Sequence, residues 1–251
     1  MRTIVALLCL LLGLQSARSD DFTVGVEAIN FYPIYDGTAV QYRGYGRDVL
    51  DRFASKYGHR FQYVALPVRR LYRNFFTTDE LDFKFPDNPL WQRDMRKDSF
   101  ITYSDTVYQA VEGLFVLPAN RDKSLAQLAA IATVRGFDAW PYKTEIAKGV
   151  IQLQFANTQE SLLALARHGR VGGIFYEESA LNWYQHMNNV PDGDKLVLNE
   201  RMPHYRPQFF LSTRTQPQII VQFNQFLQDE AAFLQRLKNQ YGLSHAPTPS
   251  F

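Results

Sequence analysis

The chain has little cysteine, little histidine and no excess of charge. Among 251 residues the one cysteine is Cys9. A single thiol excludes an internal disulfide framework and any multi-cysteine metal site. Cys9 also lies in an apolar run near the N-terminus, so the rest of the chain holds no thiol nucleophile. The histidines are His59, His168, His186, His204 and His245. None stands at metal-ligand spacing with another or with a nearby carboxylate, so neither a metal nor a cofactor is expected. There is no G-x-S-x-G elbow, no P-loop and no G-x-G-x-x-G.

What is present begins with Met1 and Arg2, followed by an apolar run from Ile4 to Leu14 and small residues in QSARS. Ala17 and Ser19 occupy the −3 and −1 positions of a cleavage site. This order describes a secretory signal peptide over residues 1–19, cleaved near Ser19. Eleven residues are too few for a span, which takes roughly 20. Export places the remainder in the periplasm. That remainder carries 25 Lys+Arg, because Arg2 and Arg18 leave the total of 27, against 25 Asp+Glu. A balanced surface gives no electrostatic footprint for nucleic acid.

Periodicity predicts strand–helix–strand–helix–strand over the first hundred residues: Phe22–Ala28, a helix from Arg47 to Tyr57, Arg60–Leu66, a helix from Val68 to Phe76, and Leu81–Phe85. That alternation is the pattern of a sheet covered by helices. It then recurs. Val111–Leu117 and Ala129–Val134 read as strands, a helix begins near Asp138, and Val150–Gln154 is a further strand. Asn157 with Glu160 marks a helix start, Gly169 its end, and Val171–Phe175 the next strand. HGRVGGIF echoes DELDFKF, which suggests two similar lobes. Thr215 with Gln218 reads as a capping box, with Pro217 in the first turn of a last helix.

Open parallel sheets bind ligands beyond the carboxyl ends of their strands. That rule selects Glu27 to Asp36, with Tyr32; Pro86 to Trp91, with Asp87 and Asn88; Arg135 to Trp140, with Asp138; and Tyr176 with Glu177. Each has a structural alternative. Tyr32 fits a half-buried turn aromatic as well as a stacking platform. Asp87 and Asn88 fit a turn before Pro89. Asp138 fits a helix N-cap. Glu177 follows an apolar strand, where desolvating a carboxylate is expensive without a partner.

The segments FYPIYDG, RGYGRDVLDRFASKYGH, LDFKFPDNP, SFITYSDTVYQAVEGLFV, VRGFDAW and LLALARHGRVGGIFYEESALNWY together resemble the family 3 periplasmic solute-binding proteins of amino-acid ABC transporters. The resemblance implies an α/β fold of type II with two lobes, built on mixed, mostly parallel sheets joined by two hinge strands. Lobe 1 would be 20–107 plus 212–251, and lobe 2 would be 108–211. It implies a monomer that binds a small polar solute by hinge closure and delivers it to an inner-membrane permease or sensor, without catalysis. A dehydratase-like enzyme on the same fold and a partner-binding receptor module are the alternatives. By matching position, Tyr32 would stack on the ligand and Pro86, Asp87 and Asn88 would offer contacts. Arg96 or Lys97 would hold a carboxylate, Phe137 and Asp138 would stand at a helix N-terminus, and Glu177 would take an amino group. An acid at Asp138, where a helix N-terminus favours an anion, points instead to a ligand with cationic or many hydrogen-bonding groups, with aromatic faces giving cation–π contacts.

Overall fold

The structure is a computed structural model that describes residues 20–96 and 99–243. The segment 1–19 read as a signal peptide, Lys97 and the tail from residue 244 lie outside the described residues.

Thirteen strands are present in chain order among the described residues: β1 Asp21–Glu27, β2 Asn30–Phe31, β3 Tyr35–Asp36, β4 Arg60–Leu66, β5 Phe83–Asp87, β6 Thr102–Tyr103, β7 Tyr108–Gln109, β8 Glu112–Val116, β9 Ala130–Val134, β10 Gln152–Ala156, β11 Gly173–Glu177, β12 Val197–Leu198 and β13 Gln208–Thr213. They form two main sheets. The first has the order β4-β1-β5-β13-β6, with β7 also on β13; the second has the order β10-β9-β11-β8-β12. Each sheet has a parallel core of three strands with antiparallel strands added at one edge. Between the two sheets the chain crosses along β7 and returns along β13. These two strands pair directly, Tyr108 opposite Phe209 and Gln109 opposite Gln208.

Helical periodicity explains which face each helix buries. Helix Tyr45–Tyr57 turns Val49, Leu50, Phe53 and Ala54 inward. It stops at Gly58, whose φ of 75° is a left-handed conformation that glycine adopts without steric cost. The C-terminal helices Pro217–Asp229 and Ala231–Gln240 cover the same side of the first sheet. There Phe223 and Phe226 meet Phe53 at ring-centroid distances of 5.0 and 5.6 Å. Burying each such ring contributes about 1.5–3 kcal/mol.

Helix starts differ in detail from the sequence expectation. The helix Gln159–Arg167 is capped by Thr158 with Ser161 as its reciprocal partner, not by Asn157 with Glu160. Thr158 is in extended backbone one residue later, and its hydroxyl reaches the Ser161 N–H. The last helical pair has no Thr215 capping box. Thr213 instead accepts hydrogen bonds from the Thr215 and Gln216 N–H groups, and Pro217 opens the helix, where its missing N–H costs nothing. Asp138 caps no helix. The nearest one is Lys143–Ala147, after a short 3-10 turn at Trp140–Tyr142. The Pro141 ring removes an N–H there, and Asp138 pairs with Lys143 at 2.6 Å.

Candidate functional site

The carboxyl ends of β1, β5, β9 and β11 all open toward the space between the sheets. A cavity of about 60 Å³ lies there, lined from both sides. From the first sheet come Glu27, Phe31, Tyr35, Tyr72 and Trp91; from the second come Glu112, Phe137, Asp138 and Trp140. The two sides touch around it. Phe31 meets Phe137 edge-on at 5.6 Å and Tyr176 at 5.1 Å. The Gln92 side-chain amide donates to the Gly136 carbonyl at 3.3 Å. Outward, the cavity gives onto a wider cleft of about 630 Å³ lined by Arg69, Arg135, Asp138 and Lys143.

Glu27 ends β1 and is 3% exposed. Its Oε2 accepts a 2.5 Å bond from the Tyr35 hydroxyl. Burial raises the Glu27 carboxyl above its ordinary range, opposed in part by the Lys84 charge and by Tyr35. Glu112 opens β8. Burial, followed by the nearby Glu177 and Glu27 carboxylates, pushes it up to about 8. No hydrogen-bond donor among the described residues reaches its carboxyl.

Behind the first wall lies a closed ionic cluster. Asp87, fully buried, accepts from Lys84 at 3.3 Å, from Arg96 at 2.5 and 3.3 Å, from the Ser212 hydroxyl at 2.7 Å and from the Asn88 N–H at 2.9 Å. Burial alone would raise Asp87, but Lys84 and the Arg96 hydrogen bonds outweigh it and hold the carboxyl below the usual range. Lys84 is lowered by its own burial, only partly offset by Asp87 and Glu27. Arg96 also donates to the Trp91 carbonyl at 2.5 Å and to the Tyr103 hydroxyl at 2.6 Å. Its guanidinium lies 5.4 Å from the centroid of the Phe76 ring and 5.5 Å from that of Tyr72. Every nitrogen of that fork is engaged inside the protein.

No family model matches the chain, and no curated protein matches it in sequence. Solved structures do match in fold. An arginine 3rd transport system periplasmic binding protein from Legionella pneumophila is 15% identical with a TM-score of 0.69, covering 89% of this chain and 100% of its own. A periplasmic His/Glu/Gln/Arg/opine family-binding protein from Silicibacter pomeroyi, in complex with lysine, is 15% identical with a TM-score of 0.67, covering 91% and 100%. The ancestral amino acid-binding protein AncCDT-1, a precursor of cyclohexadienyl dehydratase, is 16% identical with a TM-score of 0.66, covering 88% and 95%. The chain has the two-lobed fold of the type II periplasmic binding proteins. At such identities the likeness is one of fold, and function has to be argued from the site.

Within this binding-protein fold the residues singled out by sequence separate into three groups. Glu27 and Asp138 line the cavity. Asp87 and Arg96 form the cluster behind it, and Asn88 pins the turn, donating to the Gln208 carbonyl and accepting from the Leu90 N–H. The remaining residues stand elsewhere. Tyr32 packs on Trp183 at 4.7 Å and under the Arg43 guanidinium, and its neighbour Phe31 takes the cavity wall. Arg135 sits at the outer cleft, bonded to Asn157 at 2.7 Å. Tyr176 is buried behind Phe31 with its hydroxyl unpartnered. Glu177 caps the helix Glu178–Met187, accepting from the Ala180 N–H at 2.7 Å and the Tyr108 hydroxyl at 3.0 Å. Burial still raises it to about 7 against those bonds. Sequence reasoning missed Glu112. The argument applied to Glu177, an acid flanking an apolar strand, applies equally to the glutamate that opens EGLFV.

Proposed function

We propose that the protein binds a small polar solute, an amino acid or an amine, by closing its lobes over it. The observation that carries this reading is the small cavity, walled from both sides, into which glutamates from either side project among aromatic rings. A few placed polar groups in a mostly aromatic hollow describe a ligand site. Its volume corresponds to roughly four to six waters, at about 10–15 Å³ each. The lobe boundaries proposed at 107/108 and 211/212 fall on the paired strands β7 and β13, which would act as the hinge. Export to the periplasm, monomeric action and delivery to a permease or sensor belong to the same reading. They are supported by the apolar N-terminal segment and by the arginine and lysine binding proteins that share the fold. A thermal-shift screen against amino acids, amines, dipeptides and small organic acids tests it. A ligand at 100 times its Kd adds about 2.7 kcal/mol of stability. A screen with no shift in any class would overturn the reading.

One observation favours a second reading, an enzyme on this fold. Glu112 and Glu177 are raised to about 8 and about 7, the range of general acids and bases. Release of a bound ligand in altered form would decide for it; recovery unchanged decides for binding.

A further inference from the structure

The proposed binding role leaves the ligand's chemistry open, and the cavity wall narrows it. We infer that the ligand is a short aliphatic amine or diamine lacking a carboxylate, its ammonium held between Glu27 of the first lobe and Glu112 of the second. This inference rests on the binding reading above and deepens it.

The charge of the wall is the first argument. No Lys, Arg or His among the described residues lines the cavity, whereas Glu27 and Glu112 do. A ligand carboxylate inside the cavity would therefore meet acids and no cation, since Arg69, Arg135 and Lys143 line only the outer cleft. Arg96, behind the cavity wall, is consumed by Asp87, the Trp91 carbonyl and Tyr103. Lys84 is fully buried against Asp87 and the Pro86 carbonyl. To bind a ligand carboxylate, either cation would have to abandon a buried aspartate, leaving it uncompensated.

The second argument is that the acids lack partners. Glu27 is 97% buried, taking its 3% exposure as the remainder, yet only its Oε2 has a donor. Its Oε1 has none among the described residues, and neither does the Glu112 carboxyl. Buried carboxyls in native proteins are hydrogen-bonded. The buried Glu27 and the half-buried Glu112 face one cavity from opposite lobes, and an ammonium, which donates in three directions, satisfies both together.

Shape and softness of the wall supply the third. Tyr72, Trp91, Phe137 and Trp140 present rings to the same space, and aromatic faces attract organic cations. A hard metal ion needs six or more oxygens or near-ideal octahedral geometry. No grouping of three or more metal-ligating side chains exists among the described residues. Because the two glutamates come from different lobes, the bound cation also ties the lobes together.

The test is calorimetric titration of the purified protein at about pH 8.5 with matched pairs: putrescine against ornithine, cadaverine against lysine, and ethanolamine against serine. Within each pair only the carboxylate differs. The expected result is binding of the amine and about tenfold or greater weakening for its amino-acid partner. Glu112→Gln is then expected to weaken the amine by about 10–100-fold, because the amide oxygen still accepts but the charge that strengthens the bond is gone. Preference for the amino-acid member overturns the inference and leaves the binding role standing. So does a hit in the wider solute screen with silence here, or an E112Q variant with unchanged affinity. Silence in both screens, from a protein that melts cooperatively, overturns the two readings together.

Discussion

Glu112 and Glu177 are register partners across the antiparallel strands β8 and β11. Burial is the main cause acting on both carboxyls, and at Glu112 the like charge of the directly opposed Glu177 adds to it. Both carboxyls are accordingly raised, to about 8 and about 7 from an ordinary 4.5. The folded protein therefore holds protons that the unfolded chain has released, and stability falls as pH rises through that window. Glu27 is raised as well and acts in the same sense. Asp87, lowered in the folded state, acts oppositely, losing its contribution only as pH falls below the ordinary carboxylate range. The unliganded protein is expected to melt highest near pH 5 and to lose on the order of a few kcal/mol by about pH 8. Thermal melts across that range check the slope. E112Q is expected to flatten it, and an unchanged slope in that variant would place the titration elsewhere.

The cluster of Lys84, Asp87 and Arg96 sets a second expectation. Replacing Asp87 by Asn keeps the shape but leaves two cations, 0% and roughly 9% exposed at the side chain, without a counter-charge. Removing one partner of a buried pair costs about 3–5 kcal/mol. Urea unfolding of D87N should show a loss of that size. The double variant D87N with Lys84→Met should recover part of it, since the uncompensated charge that remains is then only Arg96. A double variant as unstable as the sum of its parts would deny the coupling.

The fold was legible because its signals are local. Arg60–Leu66, RFQYVAL, alternates polar with aromatic residues at its start and reads as a strand, and Gly58 closes the helix before it. The alternation alone reaches a sheet covered by helices in two similar lobes; the type II architecture came from the family resemblance that the ordered segments carry. The two-residue strands β2, β3, β6, β7 and β12 were not legible, because a pair of residues carries no period. Strand β13 escaped for another reason: its sequence, QFFLST, alternates weakly, and its assignment depends on partners more than a hundred residues away. At the site, chain position located Glu27 and Asp138 but selected Tyr32 as the stacking ring, where the cavity wall holds its neighbour Phe31. The turn that sends Phe31 inward and Tyr32 toward Trp183 is set by tertiary contacts. The capture of Arg96 by Asp87 was equally invisible, since nothing in the sequence joins residues nine apart across a loop.

Closure should be blockable at Gly136. Its φ of 98° suits glycine, and an added Cβ would stand 2.9 Å from the Cβ of Val68 on the opposing lobe. Gly136→Val is therefore expected to hold the lobes apart. Apparent affinity falls in proportion to the closed population, so a variant closed one-tenth of the time binds about tenfold more weakly. Small-angle scattering with saturating ligand would show the retained expansion. Gly58→Ala is the control. It has φ 75° with nothing within 4 Å and lies away from the cleft, so it should cost about 1 kcal/mol of stability and leave affinity unchanged. Equal affinities for G136V and the native chain would mean that these surfaces do not meet in the bound state.

The rings of Phe31 and Phe137 meet edge-on at 5.6 Å across the two lobes, and Phe31 is stacked on Tyr35 within its own lobe. The first contact exists only when the lobes are together, whereas the second persists in either state. Phe31→Ala should therefore act twice. It lowers the stability of the unliganded protein through the lost packing, by about 3–5 kcal/mol if the site does not collapse. It also weakens ligand binding through the lost contact between lobes. The two effects separate in a double-mutant cycle with Phe137→Ala. An edge-to-face pair contributes about 0.5–1.5 kcal/mol beyond burial, which is about a two- to twelvefold coupling when the cycle is run on Kd. The same cycle run on the stability of an open, unliganded protein should close to near zero. Coupling of equal size in both measurements would mean that the lobes are already joined without ligand, and that binding selects a closed state instead of producing one.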